Sequence, residues 1–127
     1  MHTDDMSVDR LSGRIIGSAF RVINTLGSGF LDKVYGNALA HELHKVGLNV
    51  TQQQGVTVQH DGTVVGQYAV DLLVEGTIII ELKAVRALDN THAAQCLNYL
   101  KATGLRLCLL LNFGRFRLEI RRFAHGP

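Results

Sequence analysis

Apolar residues recur at helical spacing through the first part of the chain. Leu11, Ile15, Ile16, Ala19, Phe20, Ile23 and Leu26 form one broad stripe, with Arg10, Arg14 and Arg21 between them. That period predicts an amphipathic helix over residues 8–26, stopped by Gly27-Ser28-Gly29. Val34, Tyr35, Ala38, Leu39 and Leu43 predict a second helix over 31–46, ended by Gly47. The period then drops to two. Val56-Thr57-Val58-Gln59-His60 alternates into Asp61-Gly62, a strong hairpin signal, and residues 64–74 return. Glu75-Gly76 turns the chain again into a strand over 77–83. A third helix is predicted over 90–103, with Asp89 or Asn90 as N-cap and Gly104 as stop. The stretch 106–112 is almost wholly apolar, as for a strand covered on both faces, and a last strand is predicted over 117–123.

The order ααβββαββ predicts an α/β (mixed α+β) fold: a mixed five-stranded sheet flanked by helices. The helix between strands three and four is long enough for a right-handed parallel crossover. One register decides what the second turn brings together. A two-residue loop would set Asp71 against Ile80. A three-residue loop, Glu75-Gly76-Thr77, sets Asp71 against Glu81 and puts both on one face. The three-residue loop is the expectation.

Composition adds bounds. A chain of 127 residues with 46% hydrophobic and 19% charged residues reads as a single domain, 1–127, with a frayed tail over 1–8. The longest apolar run, from Leu107 to Leu111, is far too short to span a membrane. The opening Met1-His2-Thr3-Asp4-Asp5 is polar and acidic, unlike a signal peptide. Cys96 and Cys108 lie in apolar surroundings without a Cys-x-x-Cys spacing, so two buried thiols and a reducing cytoplasm are expected. A net charge of +2 says little about partners. Its distribution says more: Arg115, Arg117, Arg121 and Arg122 cluster near the C-terminus. On a strand, Arg117, Glu119 and Arg121 would share a face, either a solvated one or one that touches phosphates.

The candidate chemistry lies at the end of the third strand. Glu81 and Lys83, two apart, follow the apolar run Ile78-Ile79-Ile80 and project to the same side. Two charges at the end of a buried strand are costly unless they pair or bind an ion. Carboxylates that hold a hard cation, with a lysine beside them, suit metal-assisted phosphodiester hydrolysis. Lys83 could equally form an ion pair with a carboxylate, and Asp71 alone could be structural. His92, Gln95 and Tyr99 share a helix face. His92 could cap, pack or touch phosphate, and Tyr99 could simply pack with its hydroxyl satisfied. His41 and His44 lack the context of a zinc site.

Taken in order, Asp71, Glu81-x-Lys83, Gln95 and Tyr99 resemble the PD-(D/E)xK nuclease superfamily. Gly29-Phe30-Leu31-Asp32-Lys33-Val34-Tyr35 resembles the namesake segment of its GxxExxY branch, with Asp32 where that branch has Glu. Residues 69–74, 80–85, 92–104 and 111–114 are similar to it too, so the resemblance spans about 10–123. It implies a restriction-endonuclease-like core and a magnesium- or manganese-dependent nuclease acting on DNA, less so on RNA. Asp71, Glu81 and the backbone carbonyl of Leu82 would hold the metal. Lys83 would stabilise developing charge or place a water, and Gln95 would orient Lys83 or that water. Asp32, Tyr35 and Tyr99 would support the cluster, Asp32 through water and Tyr35 by a hydrogen bond into it. Arg117 and Arg121 would contact nucleic acid. So small a domain is non-specific, dimerises as a homodimer or works with partners. The alternative is a non-catalytic nucleic-acid-binding or assembly module on the same fold, favoured only by Asp32.

Overall fold

The computed structural model describes residues 2–125, with side chains from Ser7 onward. Its elements are α1 (His2–Leu26), α2 (Asp32–Lys45), β1 (Val50–His60), β2 (Thr63–Val74), β3 (Ile78–Lys83), α3 (Asn90–Thr103), β4 (Leu107–Asn112) and β5 (Glu119–Ala124). The order ααβββαββ is the one expected. Helix α1 begins inside the stretch expected to be a tail, and Met1 lies outside the described residues. Strand β1 starts six residues before the expected Val56, because polar Thr51-Gln52-Gln53-Gln54 hides it from an apolar count.

The five strands lie in sequence order, β1-β2-β3-β4-β5. Only β3 and β4 run parallel, from Ile78 beside Leu107 to Lys83 beside Asn112. Helix α3 makes the crossover between them. Its start is fixed by Asp89, whose carboxylate accepts the Thr91 and His92 N–H groups, while His92 Nδ1 accepts the Asp89 N–H at 3.1 Å. His92 is thus a capping residue. Gly104, at φ 74°, ends the helix in the left-handed conformation.

Two apolar layers sandwich the sheet. On one face Ile15, Ala19, Leu39 and Leu43 of α1 and α2 pack on Leu72, Ile80, Leu82 and Leu109. On the other, Cys96, Tyr99 and Leu100 of α3 pack on Val70, Ile79, Cys108 and Leu110. Strands β3 and β4 are therefore covered on both sides, which is why their sequences are apolar without alternation. Both cysteines are buried and free. The neighbouring Cys96 thiol, toward which the Cys108 thiol donates, and burial raise the Cys108 thiol far above its ordinary range.

Candidate active site in the fork between two strands

The β2–β3 turn has the expected register. Val74 pairs with Ile78, Leu73 with Ile79 and Leu72 with Ile80, which sets Asp71 opposite Glu81. Glu75 and Gly76 both take positive φ, 53° and 63°, and Thr77 N–H closes the turn on the Val74 carbonyl at 2.9 Å. Regular pairing stops at Leu72–Ile80. Beyond it the carboxylates replace the ladder. Glu81 Oε2 accepts the Asp71 N–H at 2.8 Å, and Asp71 Oδ2 accepts the Leu82 N–H at 2.8 Å. Each strand's acid thus reaches across to the other strand's backbone, in a fork between them.

Strand β1 helps to open that fork. Val70 packs on the α3 side and Leu72 on the α1–α2 side, although two residues apart in a regular strand share a face. The strand therefore rolls over at Asp71. Opposite, Gln52 pairs with Leu72 and Gln54 with Val70, while Gln53 between them adopts φ 54°. A non-glycine residue in the left-handed region is held there by its surroundings. The Gln53 side chain lies near enough to Asp71 to favour its charged form. Gln53 is a site residue that the sequence reading missed, because one glutamine among three carries no periodic signal.

Electrostatics mark the fork. Glu81 is 3% exposed. Burial first, and then the Asp71 carboxylate, push its pKa up to about 7, against the Asp71 N–H and the Lys83 charge. Asp71 is raised as well, chiefly by burial and also by Asp32, while the Leu82 N–H and Lys83 oppose the rise. Lys83 ends β3, half-buried, and bears on both acids. Tyr99 is buried, accepts a hydrogen bond from Gln95 Nε2 at 3.0 Å and meets Tyr68 edge-on at 6.1 Å. Burial first, and then the Glu81 charge, raise its pKa, and Tyr99 is the one hydrogen-bond partner that the structure gives the Gln95 side chain among the described residues.

The remaining candidates separate. Asp32 is exposed at the start of α2, on the lip of a cleft of about 390 Å³ shared with Gly36, Asn37, Gln53, Asp71 and Leu82. Its carboxylate accepts the Lys33 N–H, and its charge still bears on both acids. Tyr35 does not join the cluster, contrary to expectation. It is fully buried, stacks on Phe113 at 4.6 Å, and its hydroxyl donates to the Gly27 carbonyl and accepts the Phe30 N–H. It braces the α1–α2 loop that presents Asp32. Arg117 precedes β5 and so does not share a strand face with Arg121, which lies 3.6 Å from Glu119.

A second clamp, also unforeseen, holds the chain after Lys83. Asn112 is fully buried; its Oδ1 accepts the Val85 and Gly114 N–H groups, and its Nδ2 donates to the Val85 carbonyl and to Glu119. At Gly114 a Cβ would lie 2.3 Å from the Val85 backbone nitrogen and oxygen. Gly114→Ala must therefore displace backbone, and should cost roughly 2–3 kcal/mol or more. Denaturant unfolding checks this, and a loss below about 0.5 kcal/mol would contradict the close approach.

The model of the PD-(D/E)XK nuclease superfamily matches residues 9–123. The chain belongs to that superfamily. Two solved structures share the nuclease fold: an alkaline exonuclease, LHK-Exo, from Laribacter hongkongensis, and SSO0001, each with a TM-score of 0.54 and 16% identity over 74% of this chain. The chain spans about half of each, 56% of the first and 50% of the second. No curated protein matches it. Nucleases of the superfamily generally use divalent metal ions.

The residues fit such an ion. Two carboxyl groups, Glu81 buried and Asp71 half-buried, sit together, and each uses one oxygen on a backbone N–H, which leaves lone pairs for a cation. Lys83 C=O accepts from Phe113 N–H, toward β4, so alternation turns the Leu82 carbonyl the other way, toward the fork. No group of three or more His, Cys, Asp or Glu side chains among the described residues could hold a metal. Magnesium, which keeps several waters and takes one or two carboxylates, needs no such group. No helix among the described residues is long and apolar enough to cross a membrane.

Proposed function

We propose that the protein is a magnesium- or manganese-dependent nuclease that hydrolyses phosphodiester bonds of DNA, within the GxxExxY branch of its superfamily. One observation carries the reading: Asp71, half-buried, and Glu81, buried, cross in the β2–β3 fork, with Lys83 two residues on from Glu81. Asp71, Glu81 and the Leu82 carbonyl would hold the ion. When bound, it polarises the scissile phosphate and acidifies a water. Lys83 supplies a fixed positive charge where negative charge develops on the phosphate. The Gln95–Tyr99 pair would border the site from the α3 side. Gln53 keeps the Asp71 carboxylate aimed into the fork. Asp32, on the cleft lip, adds negative charge there and acts through water.

Incubation of the protein with single- and double-stranded DNA and RNA, in magnesium, in manganese and in EDTA, tests this. Cleavage of DNA with either metal and none in EDTA is expected. Intact substrates throughout would leave a binding or assembly module on a nuclease fold.

A further inference from the structure

The loops that leave the carboxyl ends of β3 and β4 form a second groove of about 810 Å³, lined by Arg86, Arg115, Phe116, Arg117 and Glu119 among others. Phe116 stands at its rim with 93% of its surface exposed. Arg86, Arg115 and Arg117 are exposed too, and among the described residues none of the three is tied in an ion pair or hydrogen bond. The acid beside them is neutralised: Glu119 lies 3.6 Å from Arg121 and accepts a hydrogen bond from Asn112. Both loops are held by the Asn112 clamp, so the ring is offered from a fixed base.

Three free guanidinium groups around one bare aromatic ring are suited to a polyanion with flat apolar faces. A single nucleic-acid strand is such a ligand; its phosphates meet the cations and its unpaired bases stack on the ring. A duplex hides those faces and offers phosphates alone. An isolated ring is too small an apolar patch for a stable protein interface. Arg86 is three residues from Lys83, at most about 11 Å of extended chain, so a strand in the groove would end beside the fork.

We infer that the groove between the 84–89 and 113–118 loops binds single-stranded nucleic acid, with Phe116 stacking on a base and Arg86, Arg115 and Arg117 contacting phosphates. The groove deepens the nuclease reading, and rests on it only for where the strand leads.

Anisotropy of a short labelled oligonucleotide, single-stranded or annealed to its complement, tests this in EDTA, where binding is read without cleavage. Phe116→Ala should weaken single-strand binding about 5- to 100-fold, Phe116→Trp should restore it, and duplex binding should change less than about twofold. The double change R115A and R117A should reduce the slope of log affinity against log salt by about 1.4 for the single strand. Unchanged single-strand affinity in Phe116→Ala, or an equal loss for the duplex, overturns the groove even if the wild type cleaves. Phe116-dependent binding by a protein that cleaves nothing upholds the groove and removes the nuclease reading.

Discussion

Lys83→Ala should lower the rate of metal-dependent cleavage about 10²- to 10³-fold and leave the fold intact. The effect is large because one preorganised charge facing developing negative charge is worth on the order of 3–4 kcal/mol in a transition state. The fold survives because Lys83 ends β3 with its side chain only half-buried, and its carbonyl still accepts the Phe113 N–H at 2.8 Å. Metal affinity should change little, since the oxygen donors remain. The check is single-turnover cleavage with saturating manganese, beside a thermal melt of each protein. Equal cleavage by wild type and variant would move the chemistry away from Lys83.

The second large effect is on stability. Glu81 holds its proton more tightly in the folded protein, about 7, than at its ordinary value of 4.5. Below 4.5 both states are protonated and the group is neutral to stability. As pH rises from 4.5 through about 7 the folded protein must release a proton that the unfolded chain has already lost, so stability falls across that window and is flat above it. A rise from 4.5 to about 7 corresponds to on the order of 3 kcal/mol. Glu81→Gln retains an acceptor for the Asp71 N–H and removes both the buried charge and its repulsion of Asp71. In EDTA, the variant should melt close to the wild type at pH 4.5 and on the order of 10 °C higher at pH 8. A gap that does not widen with pH would show that Glu81 is not a buried charge under strain. Divalent metal should reverse the order, because it binds the wild-type fork and stabilises it by mass action.

Much of this was legible in the chain. Helix α3 could be placed from its caps, Asp89 and Gly104, because capping is local chemistry. The parallel β3–β4 pair followed from two apolar runs with a helix between them. The opposition of Asp71 and Glu81 turned on the length of one turn, and Glu75-Gly76-Thr77 specified it. What stayed hidden depends on packing between distant segments. The positive φ of Gln53 accompanies the break in β1–β2 pairing opposite Asp71 and does not follow from glutamine's own preference. Tyr35 shared a motif with Asp32 yet faces Phe113 and Gly27, since a helix directs residues three apart only roughly alike and loop closure took its hydroxyl. Asn112 looked like the polar end of an apolar strand; only the return of residues 84–85 beside it makes it a clamp.

The fork as a divalent-metal site is tested most directly by calorimetric titration of manganese into wild type and Glu81→Gln at pH 8. The wild type should take up the ion at the fork, and Glu81→Gln should lose that binding while remaining folded. No binding by the wild type, or equal binding by both proteins, would contradict the assignment of Asp71 and Glu81 as the ligands.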